Sequence, residues 1–225
     1  MRRRELLFHI SLCAALAAVG PTFAAEAAMA TWFIFLEAGR KTPDDKSLVE
    51  AMQRGHIGNF KRLYKLGRLM AAGPMSDPAG IKRGIVIVRA ASFDELLNYF
   101  QEDAYVREGY MNVNAVRATA HKALNTEGID DTTVEELRIV QIGRGNVMPD
   151  DATAQLRQSL LQDLVDRGSV GAWYTLHTGP VAEVLFARTR DTPRLEAAFS
   201  TYAGLGNGGV TLAVWAQWLS PGVVR

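Results

Sequence analysis

Cysteine is almost absent from this 225-residue chain: the single Cys13 stands within the first twenty residues. Beyond it no disulfide, thiolate nucleophile or cysteine metal ligand can be built, so stability must come from an ordinary packed core. Histidine is nearly as scarce. Among His9, His56, His121 and His177 no pair has metal-ligand spacing, so no metal site is expected. An excess of one charge is missing too, with 25 basic residues against 24 acidic ones. That balance leaves no electrostatic footprint for nucleic acid or anionic lipid. One apolar run stands out near the start, Leu6 to Val19, and it is shorter than the roughly 20 residues a membrane-spanning helix needs.

The run follows Met1-Arg-Arg-Arg-Glu5 and precedes the small residues of Pro21 to Ala25, the layout of a secretory signal. Residues 1–25 are therefore expected to be a signal peptide cut after Ala25, within a range of Ala24 to Ala30. The mature protein would be periplasmic or secreted and free of the membrane. An uncleaved anchor is the alternative reading, and the pair Arg3-Arg4 leaves the export route open. Cleavage removes three arginines and one glutamate, leaving 22 basic and 23 acidic residues. About 200 residues at 48% hydrophobic composition can build one sizeable domain or two small ones.

What is present is a repeated order of elements. Thr31 to Glu37 reads as a strand, Ser47 to Leu66 as a helix stopped at Gly67, and Leu69 to Ala72 as a strand closed by Gly73-Pro74. Gly84 to Ala90 is a buried strand, Phe93 to Phe100 a helix opened by Ser92 and Glu95, and Met111 to Arg117 a last strand. The same order returns about 100 residues later. Its strands are Glu135 to Ile142, Gly171 to His177, Val181 to Arg188 and Val210 to Trp218, and its helices are Ala152 to Asp166 and Thr192 to Tyr202. The expected fold class is α+β: two ferredoxin-like βαββαβ repeats, residues 30–120 and 134–220, joined by a polar linker at 121–133. Each sheet would keep one apolar face uncovered by its own helices, so the repeats should pack sheet to sheet as an intrachain barrel. Two independent domains are the alternative, and a further homodimer is left open.

In the first helix Val49, Met52, His56, Phe60 and Leu63 share one face, which should place His56 against the sheet. Gly55 and Gly58 flank it and suggest close approach of another group to the backbone there. A partly buried imidazole can accept a proton, and a carboxylate beside it would orient the ring. Hydrogen bonding of His56 to a backbone carbonyl is the simpler alternative. Asp103 precedes a short helical turn, where aspartate is a preferred N-cap. Gly204 to Gly209 has a phosphate-loop look but follows a helix and precedes a strand, the reverse of what a phosphate cradle needs. Trp173, Trp215 and Trp218 are expected to fill the core between the repeats.

The residues from Trp32 to Arg117 resemble the YciI-like (YCII-related) family of the dimeric α+β-barrel class. The resemblance rests on His56, the stretch Gly67-Arg-Leu-Met-Ala-Ala-Gly-Pro74, the strand Gly84 to Arg89, and Asp103-Ala-Tyr-Val-Arg-Glu-Gly-Tyr110. It implies a catalytic pair made by His56 and Asp103. The neighbouring polar residues Arg68, Tyr105 and Arg107 are candidates for binding at the pocket rim, with surface solvation as the plainer alternative. Ala104 departs from the family's usual proline. In the second repeat the matching positions hold Arg157 and Ala203, so the pair would occur once. Two functions follow. One is a cofactor-independent lyase or isomerase acting on a small molecule through the His–Asp pair. The other is a non-catalytic ligand-binding or assembly module of the same fold.

Overall fold

The computed structural model describes residues 28–204 and 210–225. The expected signal peptide, with His9 and Cys13, and the glycine-rich stretch 205–209 lie outside them. The first half runs β1 (Ala30–Ala38), α1 (Lys46–Lys65), β2 (Leu69–Pro74), β3 (Lys82–Ala90), α2 (Phe93–Asn98), α3 (Ala104–Arg107) and β4 (Met111–Lys122). The second runs β5 (Glu135–Gly143), α4 (Asp151–Asp166), β6 (Ala172–Leu176), β7 (Val181–Ala187), α5 (Thr192–Gly204) and β8 (Leu212–Leu219).

Local chemistry sets the boundaries. Asp45 caps α1 by accepting from the Ser47 and Leu48 amides, and Gly67 ends it in the left-handed region at φ 66°. Ser92 caps α2 by accepting from the Glu95 amide, while Glu95 reaches back to the Ala91 amide. Gly55 and Gly58 do not mark a close approach: a Cβ at either would meet open space.

The strands form one antiparallel sheet in the order β2-β3-β1-β4-β6-β7-β5-β8. Each half contributes its strands in the same internal order, and β4 of the first pairs with β6 of the second, Ala118 opposite Leu176 and Thr119 opposite Thr175. The equivalent seam between β2 and β8 is nearly closed by a bridge from Met75 to Gln217 and by the Ser76 amide on the Ala216 carbonyl at 2.9 Å. The result is an eight-stranded, nearly closed antiparallel barrel with helices outside. Gly73 allows the second seam, because a Cβ there would sit 1.9 Å from the Trp218 carbonyl oxygen.

Strand β1 shows why its sequence is apolar throughout. Phe33 and Phe35 enter the barrel with Ile85, Ile87, Leu137, Ile139, Tyr174 and Phe186. Trp32, Ile34 and Leu36 face outward under α1 and α2 with Leu63, Leu96 and Phe100. A strand buried on both faces loses the polar alternation. Among the described residues there are therefore three cores, one inside the barrel and one beneath each half's helices. The connection between the halves is not a free tether. Its first residues extend β4, and Leu124 is buried in the barrel core, its amide donating to the Tyr174 hydroxyl at 2.8 Å. Val223 and Val224 of the C-terminal tail close the same end. The tryptophans are divided: Trp215 packs on the barrel core, whereas Trp173 lies under the helices of the second half, contrary to the expected shared role.

Candidate functional site

Helix α1 lays Met52, His56, Asn59 and Leu63 on its buried face. His56 is 9% exposed, and its ring edge meets Phe60 at 4.4 Å and Tyr105 at 5.5 Å between centroids. Asp103 arrives from the turn between α2 and α3 and is fully buried. Its Oδ2 lies 2.6 Å from His56 Nδ1, and its Oδ1 accepts from the Tyr105 amide at 3.1 Å. One carboxylate thus serves both as N-cap of α3 and as partner of the histidine. Ala104 does not swing it outward. An ionised carboxylate can only accept, so opposite one it is Nδ1 that carries the proton of a neutral ring, and Nε2 is then the nitrogen free to accept.

His56 lines a cavity of about 630 Å³ between α1, β2, β3, the connection between the halves and the C-terminal tail. Its walls are mostly apolar, including Leu36, Phe60, Met70, Ile85 and Val223. The charged side chains around it are Lys61, Lys65 and Arg83 against Asp131, which pairs with Lys61 at 3.4 Å. A mostly apolar cleft with a few convergent polar groups is the usual form of a small-molecule site.

The other residues singled out from the sequence fall elsewhere. Arg68 donates to Met29 Sδ just before β1 and lies 3.7 Å from Glu95 of α2. Arg107 is held by Glu108 on the exposed side of α3. Neither lines the cavity, because each sits one strand end or one helical turn beyond it and finds a carboxylate nearby. Tyr105 is buried behind His56, its hydroxyl 3.5 Å from the Val49 carbonyl, so it packs the ring rather than facing the opening. Lys61, Lys65 and Arg83 were not anticipated. Lys61 and Lys65 could have been read from the polar edge of the helical stripe, one and five residues past Phe60. Arg83 had no local signal. Among the described residues no cluster of three or more His, Cys, Asp or Glu side chains is placed to hold a metal ion, and no helix is long and apolar enough to cross a membrane.

Residues 33–119 match the sequence profile of the YCII-related domain. No curated protein sequence matches the chain. Among solved structures, a proposed monooxygenase from Fusobacterium nucleatum subsp. nucleatum ATCC 25586 superposes with a TM-score of 0.55 at 8% identity, over 88% of this chain and 97% of the other. A second proposed monooxygenase, from Lactobacillus acidophilus NCFM, superposes with a TM-score of 0.51 at 10% identity, over 84% and 93% respectively. At such identities the likeness is one of fold, the dimeric α+β barrel built here within one chain.

Proposed function

We propose that the protein, whose residues 33–119 match the YCII-related domain and carry a histidine paired with a buried aspartate, is a cofactor-independent lyase or isomerase of small molecules. The observation that carries this reading is the 2.6 Å contact between His56 Nδ1 and Asp103 Oδ2 beside a 630 Å³ cavity. His56 is the general base: Nε2 takes a proton from the substrate and returns it, or delivers it to a leaving group. Asp103 is the positioning residue that holds the tautomer and offsets the charge of the imidazolium as it forms. The apolar walls and the three cationic side chains against one acidic favour an apolar substrate bearing an anionic group, with the acidified C–H next to the activating group facing His56.

The export pattern of residues 1–25 supports action outside the cytoplasm. A screen of apolar carboxylic acids for exchange of a carbon-bound proton with deuterated solvent tests the chemistry. Exchange that vanishes in His56→Ala, with the fold kept, is the expected result. Undiminished exchange in that variant would leave the cavity as a binding site only, which is the second reading.

A further inference from the structure

The second half has its own cavity, about 280 Å³, bounded by α4, the turn after β5, the ends of β6 and β7, and Tyr202 of α5. It lies where the internal two-fold symmetry places the counterpart of the His56 cavity, with Arg157 at the position of His56. The chemistry is different. Glu183 of β7 turns its carboxyl into this space, and Oε2 accepts from both the Trp173 indole and the Thr175 hydroxyl, each at 2.8 Å. Thr175 in turn lies 2.8 Å from His121 Nε2, and the His121 ring stacks on Trp173 at 3.9 Å. A threonine hydroxyl has one proton; given to Glu183, it leaves His121 Nε2 as the donor. The carboxyl is therefore held by two side chains, Trp173 and Thr175, both of them backed by His121. Among the described residues no hydrogen bond is made to Oε1.

Two guanidinium groups, of Arg144 and Arg157, line the same cavity. Arg144 is anchored by its Nε and Nη2 to the carbonyls of Gly179 and Leu176. Arg157 lies over the Tyr202 ring at 5.5 Å, while Arg144 is near enough to act on the charge of Glu183 without forming an ion pair with it. Opposite charges thus share one small space without collapsing onto each other. Burial holds the Glu183 carboxyl above its ordinary range, even against the hydrogen bonds of Trp173 and Thr175. A cationic ligand group is what would restore its ionised form. Val147, Met148 and Leu161 supply an apolar wall.

We propose that this cavity is a second ligand site, for a small zwitterion of the α-amino acid class. Its ammonium group meets Glu183, its carboxylate meets the guanidinium side at Arg144, and an apolar side chain lies on Met148 and Leu161. The two charges of such a ligand satisfy both walls at once, whereas a simple acid or amine leaves one of them opposed or unpaired.

The test is calorimetric titration of the full chain with L-leucine, and in parallel with 4-methylpentanoic acid and 3-methylbutylamine, each of which lacks one charge. Saturable leucine binding is expected, at least tenfold tighter than either analogue. Glu183→Gln should weaken it at least tenfold, and Arg144→Met likewise, while His56→Ala should leave it unchanged. Arg144→Met, on an exposed side chain, carries the test if Glu183→Gln does not fold. Absence of leucine binding, equal binding of an analogue, or binding lost in His56→Ala but kept in Glu183→Gln would each overturn the proposal.

Discussion

Asp103 makes two hydrogen bonds that can be separated by choosing what replaces it. In Asp103→Asn the side-chain oxygen can still accept from the Tyr105 amide and keep the cap of α3. The amide NH2 then faces His56 Nδ1, which can only accept, so the ring must carry its proton on Nε2 instead. The perturbation reverses the imidazole's polarity while leaving packing nearly intact. Loss of stability should stay near 1 kcal/mol, the size of one ordinary hydrogen bond. Asp103→Ala is different. It removes a cap worth about 1 kcal/mol and strands a buried imidazole donor at a further 1–3 kcal/mol or so. For a chain of this size each kcal/mol lowers Tm by about 2–4 °C, so the alanine variant should melt roughly 4–16 °C lower. Long-range ¹⁵N correlation spectra of His56 report the tautomer without any substrate. They should show Nδ1–H in the unsubstituted protein and Nε2–H in Asp103→Asn, with any base-catalysed exchange falling by about 10²–10⁴-fold. An unchanged Nδ1–H tautomer in Asp103→Asn would refute the orienting role of the carboxylate.

Other expectations follow from single contacts. Gly73→Val puts a branched side chain where even a Cβ would lie 1.9 Å from the Trp218 carbonyl. It should open the seam between β2 and β8, lower stability by about 1–3 kcal/mol, and speed amide exchange at Ser76 above all; unchanged protection there would show the seam does not matter. Glu183 has a folded-state pKa raised above its ordinary 4.5, so the native state binds the proton more tightly than the unfolded chain. Stability from this group is thus present below pH 4.5 and declines as pH rises toward the raised value. Glu183→Gln should remove that decline, and parallel urea-denaturation profiles of the two proteins between pH 4 and 8 would contradict it. Edman sequencing of the protein recovered from outside the cytoplasm should begin near Glu26; a start at Met1 would refute cleavage, and finding the protein only in the cytoplasm would end the export proposal.

The outline of the barrel was legible because binary patterning and turn chemistry are local. Gly67 and Gly168 close the first helices of the two halves, and both adopt the left-handed conformation that glycine tolerates best. The apolar stripe of α1 sufficed to bury His56, and the position of Asp103 before a helical turn sufficed to make it a cap. Their pairing needed more than either signal, since 47 residues separate them and the family pattern alone joined them. Gly55 and Gly58 misled, because a glycine demanded by close contact and one left exposed look identical in a string of letters.

Element type, order and repeat are encoded over a few residues at a time and can be read from the chain alone. Seams and cavities depend on which distant backbones meet. That β4 lies beside β6 while β2 only approaches β8, that Leu124 and Val223 plug one end of the barrel, and that Arg83 comes round to the His56 cavity were decided by tertiary structure. So was the cluster of Glu183, Thr175 and His121. Its members come from three strands: Thr175 and Glu183 face each other across the β6–β7 hairpin, but His121 of β4 joins them only because β4 pairs with β6. Burying both apolar sheet faces at once is the physical reason, because closing the barrel dictates which strand edges, and with them which polar side chains, come together.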